Sequence, residues 1–265
     1  RSIPGFASLP DDFMMTSITS IVQRYNGEIW FANNGYGIGH YIPGQTVDLI
    51  RNDQYPGVIN NYIQTLMSSR SRIMWIGQGS GVSLFYPDNR CVALKMMEQG
   101  RNITNCCPQQ IIEDHRSTVW VSSDNEGIIR ITGDAFHLSS LRFHQYCKYK
   151  GNLAVNDVTA CYEDSRHRLW AISNSGGLFL YNSSKDRFDS MNATYHIPGD
   201  RIFTIQEDRQ GALWLSTDNA LICISAEKKQ AFRIFGEEDG LPRLLFYPTA
   251  SCSFGEEFFL ACRNG

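Results

Sequence analysis

Short runs of alternating apolar and polar residues cover most of this chain. Ile18-Thr19-Ser20-Ile21, Tyr62-Ile63-Gln64-Thr65-Leu66, Val158-Thr159-Ala160-Cys161-Tyr162 and Ile202-Phe203-Thr204-Ile205 read as half-buried strands. A turn follows each: Asn26-Gly27 in one case and Gln210-Gly211 in another, residues suited to a tight hairpin. A second strand then carries a tryptophan, as in Glu28-Ile29-Trp30, Ile73-Met74-Trp75, Thr118-Val119-Trp120, Arg168-Leu169-Trp170 and Ala212-Leu213-Trp214. A small, polar stretch comes next, such as Ser122-Ser123-Asp124-Asn125 or Ser173-Asn174-Ser175-Gly176. A third apolar strand often ends in an aromatic, as in Val82-Ser83-Leu84-Phe85-Tyr86 and Gly177-Leu178-Phe179-Leu180-Tyr181. A weaker fourth strand closes the unit: Val47-Asp48-Leu49-Ile50, Cys91-Val92-Ala93-Leu94-Lys95, Ala231-Phe232-Arg233-Ile234-Phe235.

The unit recurs. Trp30, Trp75, Trp120, Trp170 and Trp214 are separated by 45, 45, 50 and 44 residues, and Phe258 or Phe259 follows at the same spacing. Four strands in about 45 residues is one blade of a β-propeller. One blade cannot bury both faces of its sheet, so neighbours stack on it and the tryptophan fills the space between them. The expected class is all-β, a propeller of four-stranded antiparallel blades. Five full blades and the first half of a sixth are expected at about 10–52, 58–97, 105–148, 155–191, 200–236 and 246–265. An open set of blades leaves strand edges and apolar faces bare, which suggests part of a larger propeller. The long third interval, from Trp120 to Trp170, places extra residues around Leu141 to Asn156.

Three units carry an acidic pair, Glu113-Asp114, Glu163-Asp164 and Glu207-Asp208, with the aspartate six residues before the tryptophan. Arg24 and Ser69 hold that place in the first two. Recurrence at one blade position points to a structural role for Asp114, Asp164 and Asp208, accepting backbone hydrogen bonds at the strand end. A catalytic pair of acids, the arrangement a glycoside hydrolase needs, would break the symmetry. No His-Glu-x-x-His, Gly-x-Ser-x-Gly or P-loop is present. Gly35-Tyr36-Gly37-Ile38-Gly39 lies between two strands and reads as a loop, and His115 and His167 fall in solvent-facing hairpin turns. No catalytic residue, metal or cofactor is expected.

Net charge is −3 with acids and bases mixed, so no basic stripe suggests nucleic acid. No apolar run is long enough to span a bilayer. Cys91, Cys161, Cys223 and Cys262 sit in strand patterns as small hydrophobes, and no cysteine spacing matches a zinc site. A disulfide among Cys106, Cys107 and Cys147 stays open as the alternative to free thiols.

The unit resembles the two-component regulator propeller repeat, most clearly at Glu163-Asp164-Ser165-Arg166-His167-Arg168-Leu169-Trp170 and Glu207-Asp208-Arg209-Gln210-Gly211-Ala212-Leu213-Trp214. The stretch Glu238-Asp239-Gly240-Leu241-Pro242, then Phe246, then Gly255-Glu256-Glu257-Phe258-Phe259 and Asn264-Gly265, is similar to the last blade of such a propeller. The resemblance implies the periplasmic sensor region of an inner-membrane hybrid two-component histidine kinase. It implies that further blades lie upstream, and that an immunoglobulin-like domain, a membrane helix and a kinase lie downstream, in a homodimeric receptor. Such kinases are abundant in glycan-degrading gut bacteria, so an oligosaccharide is the expected ligand and carbohydrate-utilisation genes the expected output. A protein-interaction propeller without a small-molecule ligand is the alternative, and a propeller glycoside hydrolase is a third reading.

The expected binding face carries the loops after each tryptophan strand and the connections between blades. Short polar side chains match sugar hydroxyls, and flat rings stack on a pyranose. Asn34, Tyr36, Tyr55, Gln78, Asp124, Asn125, Asn174, Tyr195, Asp218 and Asn219 are the candidates, with Tyr149 and Phe246 as further connection aromatics.

Overall fold

A computed structural model describes residues 9, 17–24, 26–197, 201–218, 220–225, 232–241, 246–254 and 257–262. Five four-stranded antiparallel sheets follow one another in chain order. The first holds β1 (Ile18–Gln23), β2 (Ile29–Asn33), β3 (Gly37–Tyr41) and β4 (Val47–Ile50). The second holds β5 (Ile63–Ser68), β6 (Met74–Gln78), β7 (Gly81–Phe85) and β8 (Cys91–Ala93), followed by a small hairpin of β9 (Met97–Glu98) and β10 (Arg101–Asn102). The third holds β11 (Pro108–Glu113), β12 (Val119–Ser123), β13 (Gly127–Thr132) and β14 (Arg142–Tyr146). The fourth holds β15 (Val158–Glu163), β16 (Leu169–Ser173), β17 (Gly177–Asn182) and β18 (Arg187–Ser190). The fifth holds β19 (Ile202–Glu207), β20 (Ala212–Thr217), β21 (Leu221–Ser225) and β22 (Phe232–Phe235). A two-stranded sheet, β23 (Phe246–Phe254) with β24 (Glu257–Cys262), begins the sixth. Pro242, Gly255, Glu256, Asn264 and Gly265 of the sequence pattern lie outside the described residues. No helix among the described residues is long and apolar enough to cross a membrane.

The first, second, fourth and fifth sheets pair their tryptophan strand with both neighbours in the same way. Trp30 stands opposite Val22 and His40, Trp75 opposite Met67 and Leu84, Trp170 opposite Tyr162 and Leu180, and Trp214 opposite Gln206 and Cys223. The first strand of four sheets is irregular at the same point, between Ile18/Ser20, Ile63/Thr65, Val158/Ala160 and Ile202/Thr204. Such a bulge adds local twist and bends the strand. The tryptophan strands β6, β12 and β16 are buried along their whole length. Sandwiching between neighbouring sheets explains why these strands carry apolar and small residues on both faces.

The chain divides into two compact units, Arg1–Val121 with Arg130–His144, and Ser122–Ile129 with Gln145–Gly265. In the first unit, Trp30, Ile38, Ile50, Ile63, Met74 and Phe85 form a core shared by the first two sheets. In the second, Trp170, Ile172, Leu178, Ile202, Leu215 and Ile222 form the counterpart between the fourth and fifth sheets. The residue three positions before each tryptophan has positive φ: Gly27 at 82°, Arg72 at 67°, Ser117 at 60°, His167 at 61° and Gly211 at 78°. The hairpin therefore demands a left-handed residue, which glycine supplies twice and side-chain-bearing residues supply at a steric cost three times.

The extra residues of the third repeat lie mainly between β13 and β14, at 133–141, where the first and second sheets use 42–46 and 86–90. The expected segment, Leu141 to Asn156, begins where this insertion ends. The connection from β14 to β15, at 147–157, matches the length of that from β18 to β19, at 191–201.

Candidate functional site

Each sheet has two ends that could meet a ligand, and the chain treats them differently. At the hairpin end the acidic pairs divide their labour. Asp164 Oδ1 accepts the backbone N–H groups of Arg166 at 3.0 Å and Arg168 at 2.9 Å, while Oδ2 accepts Trp170 Nε1–H at 2.8 Å and Arg168 Nε–H at 2.6 Å. Asp114 repeats this with Arg116, Thr118 and Trp120, and Asp208 with Gln210, Ala212 and Trp214, all at 2.8–2.9 Å. The aspartate thus closes the hairpin and satisfies the buried indole in one group. The glutamate beside it reaches the preceding sheet: Glu113 accepts Arg70 N–H at 2.7 Å, and Glu207 accepts Ser165 N–H at 2.7 Å and its hydroxyl at 2.8 Å. Asp114, Asp164 and Asp208 therefore stitch turn to strand, and Glu113 and Glu207 stitch blade to blade.

In the first sheet, where Arg24 replaces the aspartate, the acceptor comes from another position. Glu28 Oε2 lies 3.5 Å from Trp30 Nε1, 3.2 Å from His40 Nε2 and 3.6 Å from Arg24 Nη1. Burial works against the Glu28 carboxylate, but hydrogen bonds from Asn26 and Trp30 and the nearby His40 outweigh it and hold its pKa below the ordinary 4.5. Sequence inspection missed this substitute, because Glu28 occupies a position that is Ile73, Thr118, Arg168 or Ala212 elsewhere.

At the opposite end, the loop after each tryptophan strand follows a positional rule. The residue three positions after the tryptophan is fully buried in every case: Asn33, Gln78, Ser123, Ser173 and Thr217. In four of them, Asn33, Ser123, Ser173 and Thr217, the side chain closes the turn. Asn33 Oδ1 accepts Tyr36 N–H at 3.2 Å, Ser173 Oγ accepts Ser175 N–H at 3.1 Å, and Thr217 Oγ1 accepts Ala220 N–H at 3.1 Å. Gln78 accepts Asn60 N–H at 2.9 Å and donates to Ser83 at 2.8 Å. The next residue forms the tip. Asn34 and Asp124 are exposed, Asn174 and Asp218 half-buried.

Asn125 is exposed beside Asp124, its N–H 3.4 Å from Ser123 Oγ, and Tyr36 is half-buried against Phe31 and Val47. Asn219 lies outside the described residues. The three other candidates sit elsewhere. Gln78 is consumed by the turn network. Tyr55 packs edge-on to Phe85 at 5.4 Å within the first unit's core. Tyr195 is 3% exposed against Trp170, and burial raises its phenol pKa. Phe246 is buried as well, whereas Tyr149 is exposed. The connection aromatics were expected to face solvent, but most of the apolar ones are needed to cap the core below.

The aromatic that does face solvent near a loop tip in the first unit is Tyr62, 60% exposed. Its backbone bridges Asn34, and its carbonyl accepts Gly79 N–H at 3.0 Å, which places it between two loop tips. Alternation through Ile63 and Thr65 could have revealed it, since those inward residues turn Tyr62 outward. Cys91 and Cys223 are free thiols. Burial pushes the Cys91 thiol up to about 11 and the Cys161 thiol higher still, so neither is a ready nucleophile.

The two component regulator propeller family model matches residues 196–219, which contain β19, its hairpin and β20. The chain carries that repeat. A comparison with curated protein sequences finds no match. The extracellular domain of the hybrid two component system BT3049 from B. thetaiotaomicron matches with TM-score 0.75 at 19% identity, over 92% of this chain and 31% of that one. The corresponding domain of BT4673 from the same organism gives 0.76 at 13% identity, over 93% and 34%. A virginiamycin B lyase from Staphylococcus aureus gives 0.70 at 15% identity, over 95% and 79%. These likenesses establish the β-propeller fold. The chain spans about a third of the length of the two B. thetaiotaomicron domains.

Proposed function

We propose that this chain is ligand-sensing propeller structure from the extracytoplasmic region of a hybrid two-component receptor, and that its ligand is an oligosaccharide. The observation that carries the reading is the loop rule. The buried position anchors each loop and the next residue forms its tip: Asn34 in the first unit, and Asp124, Asn174 and Asp218 in the second. Tyr36 and the exposed Tyr62 accompany Asn34 in the first unit, and Asn125 accompanies Asp124 in the second. Amide and carboxylate tips match sugar hydroxyls, and the Tyr62 ring offers a flat face to a pyranose. The propeller repeat at 196–219 and the likeness to extracellular domains of hybrid two component systems support the receptor context.

In this reading the chain itself catalyses nothing, contacts no nucleic acid, and meets the membrane only through a downstream segment of a homodimeric receptor that controls carbohydrate-utilisation genes. Signalling requires that the sugar bind one arrangement of the receptor more tightly than another, since equal affinity shifts nothing. The likeness to a lyase favours a second reading, a propeller enzyme. The carboxylates of Asp114, Asp164, Asp208, Glu113 and Glu207 do not supply its chemistry, because each is engaged by backbone N–H groups. Calorimetric titration with defined oligosaccharides tests the proposal. Binding that Tyr62→Ala and Asn34→Ala each weaken supports it, and binding that both variants leave unchanged removes the loop tips from the site.

A further inference from the structure

The second sheet breaks the hairpin-end rule, and nothing among the described residues repairs it. Ser69 stands where three other sheets have the aspartate. Its hydroxyl bonds Ile73 N–H at 3.1 Å and the Ile73 carbonyl at 3.0 Å, which closes the turn as an aspartate would. It is too short to reach the indole. Trp75 is 2% exposed, and its Nε1–H is buried without a hydrogen-bond partner. Trp75 lines a cavity of about 140 Å³ together with Ser69, Arg70, Ser71, Glu113 and Ser117. A space of that size exceeds what a single water needs, and leaving an indole N–H unpaired is unfavourable.

We propose that this cavity is a binding site for the carboxylate of a small ligand, which takes the place of the missing aspartate. Internal symmetry identifies the chemistry. In the third, fourth and fifth sheets the group facing the indole N–H is a carboxylate oxygen at 2.8–2.9 Å. The fourth sheet also shows that the cradle holds two carboxylates side by side, the buried Asp164 and the Glu207 that bonds Ser165. Glu113 stands in the Glu207 position for the second sheet, bonded to Arg70 N–H and 3.9 Å from the Arg70 guanidinium. Ser71 Oγ bonds Ser69 Oγ at 2.9 Å, and Arg70, whose Nη1 donates to the Asp114 carbonyl at 2.6 Å and to Ser117 Oγ at 3.3 Å, brings the positive charge to the lining. Asp134, the other charge on the lining, is exposed and bonded to His137 at 2.6 Å. Two sources share the chemistry: a free monocarboxylate, or the acid group of a uronic sugar.

The five tryptophans make the test direct, because each gives one indole N–H resonance. In ¹⁵N-labelled protein, Trp75→Phe assigns the Trp75 signal. Titration with acetate, with D-galacturonate and with uncharged D-galactose should move that resonance saturably for one or both acids and not for galactose. A response to acetate marks a free carboxylate as sufficient, and a response to galacturonate alone marks a sugar acid. Ser69→Asp, which builds the carboxylate into the chain, should shift the Trp75 resonance to the position of Trp120 and Trp170 and abolish the response. A Trp75 resonance unmoved by either acid, or moved equally by galactose, overturns the proposal. The wild-type titration decides this even where Ser69→Asp fails to fold.

Discussion

Replacing Asp164 with alanine removes four hydrogen bonds from one carboxylate. Two of the donors, the turn N–H groups of Arg166 and Arg168, lie near solvent and can be rehydrated. The indole N–H cannot, because Trp170 is 0% exposed, and an unpaired buried donor costs about 1–3 kcal/mol. Loss of the charged partner of Arg168 Nε adds about 1 kcal/mol. The expected total is about 3 kcal/mol, a fall in Tm of roughly 6–12 °C for a domain of this size. Asp208→Ala supplies the internal control. It removes the matching bonds, but Trp214 is half-buried, so water can serve its indole and the expected cost is about 1 kcal/mol. Thermal unfolding monitored by tryptophan fluorescence measures both. Equal losses for the two variants, or a loss below about 1 kcal/mol for Asp164→Ala, would refute the claim that the carboxylate acts chiefly by satisfying a buried indole.

Three further outcomes follow from the same geometry. His167→Gly relieves a left-handed side chain at φ 61° and should raise stability by about 1 kcal/mol in urea unfolding; no gain would show that its pairing with Glu163, at 3.8 Å, outweighs the strain. The Glu28 pKa is lowered on folding, so its contribution is present above the usual carboxylate value of 4.5 and is lost as pH falls through the folded value. The stability difference between wild type and Glu28→Gln should therefore hold at neutral pH and shrink under stronger acid; a difference that grows on acidification contradicts the assignment. Tyr195→Ala should cost about 3 kcal/mol by opening the core beside Trp170, whereas Tyr62→Ala should change stability by less than about 0.5 kcal/mol, and unfolding curves separate the two.

The blades were legible because stacked sheets constrain sequence at a fixed period. The tryptophan, the aspartate six residues before it and the small polar loop after it each meet the same environment in several sheets, so they recur. The candidate site was read less well, for a physical reason. Loop polarity alone does not distinguish a side chain that closes its own turn from one that faces solvent. Gln78 and Asn34 look alike in sequence, yet Gln78 stands three positions after its tryptophan and is buried, while Asn34 stands four positions after and is exposed. Likewise Tyr55 and Tyr195 lie in connections but serve the core, because each blade junction needs an apolar cap. Glu28 and the unpaired Trp75 indole were invisible to pattern reading, since both are departures from the repeat.

The most direct test of the account is calorimetric titration of the sensor region containing these blades against a panel of defined plant and host oligosaccharides, repeated with Tyr62→Ala. The account predicts that one oligosaccharide binds in preference to its close analogues and that the substitution weakens it without unfolding the protein. Silence across the panel from folded protein would contradict a glycan sensor and point instead to a propeller that binds another protein.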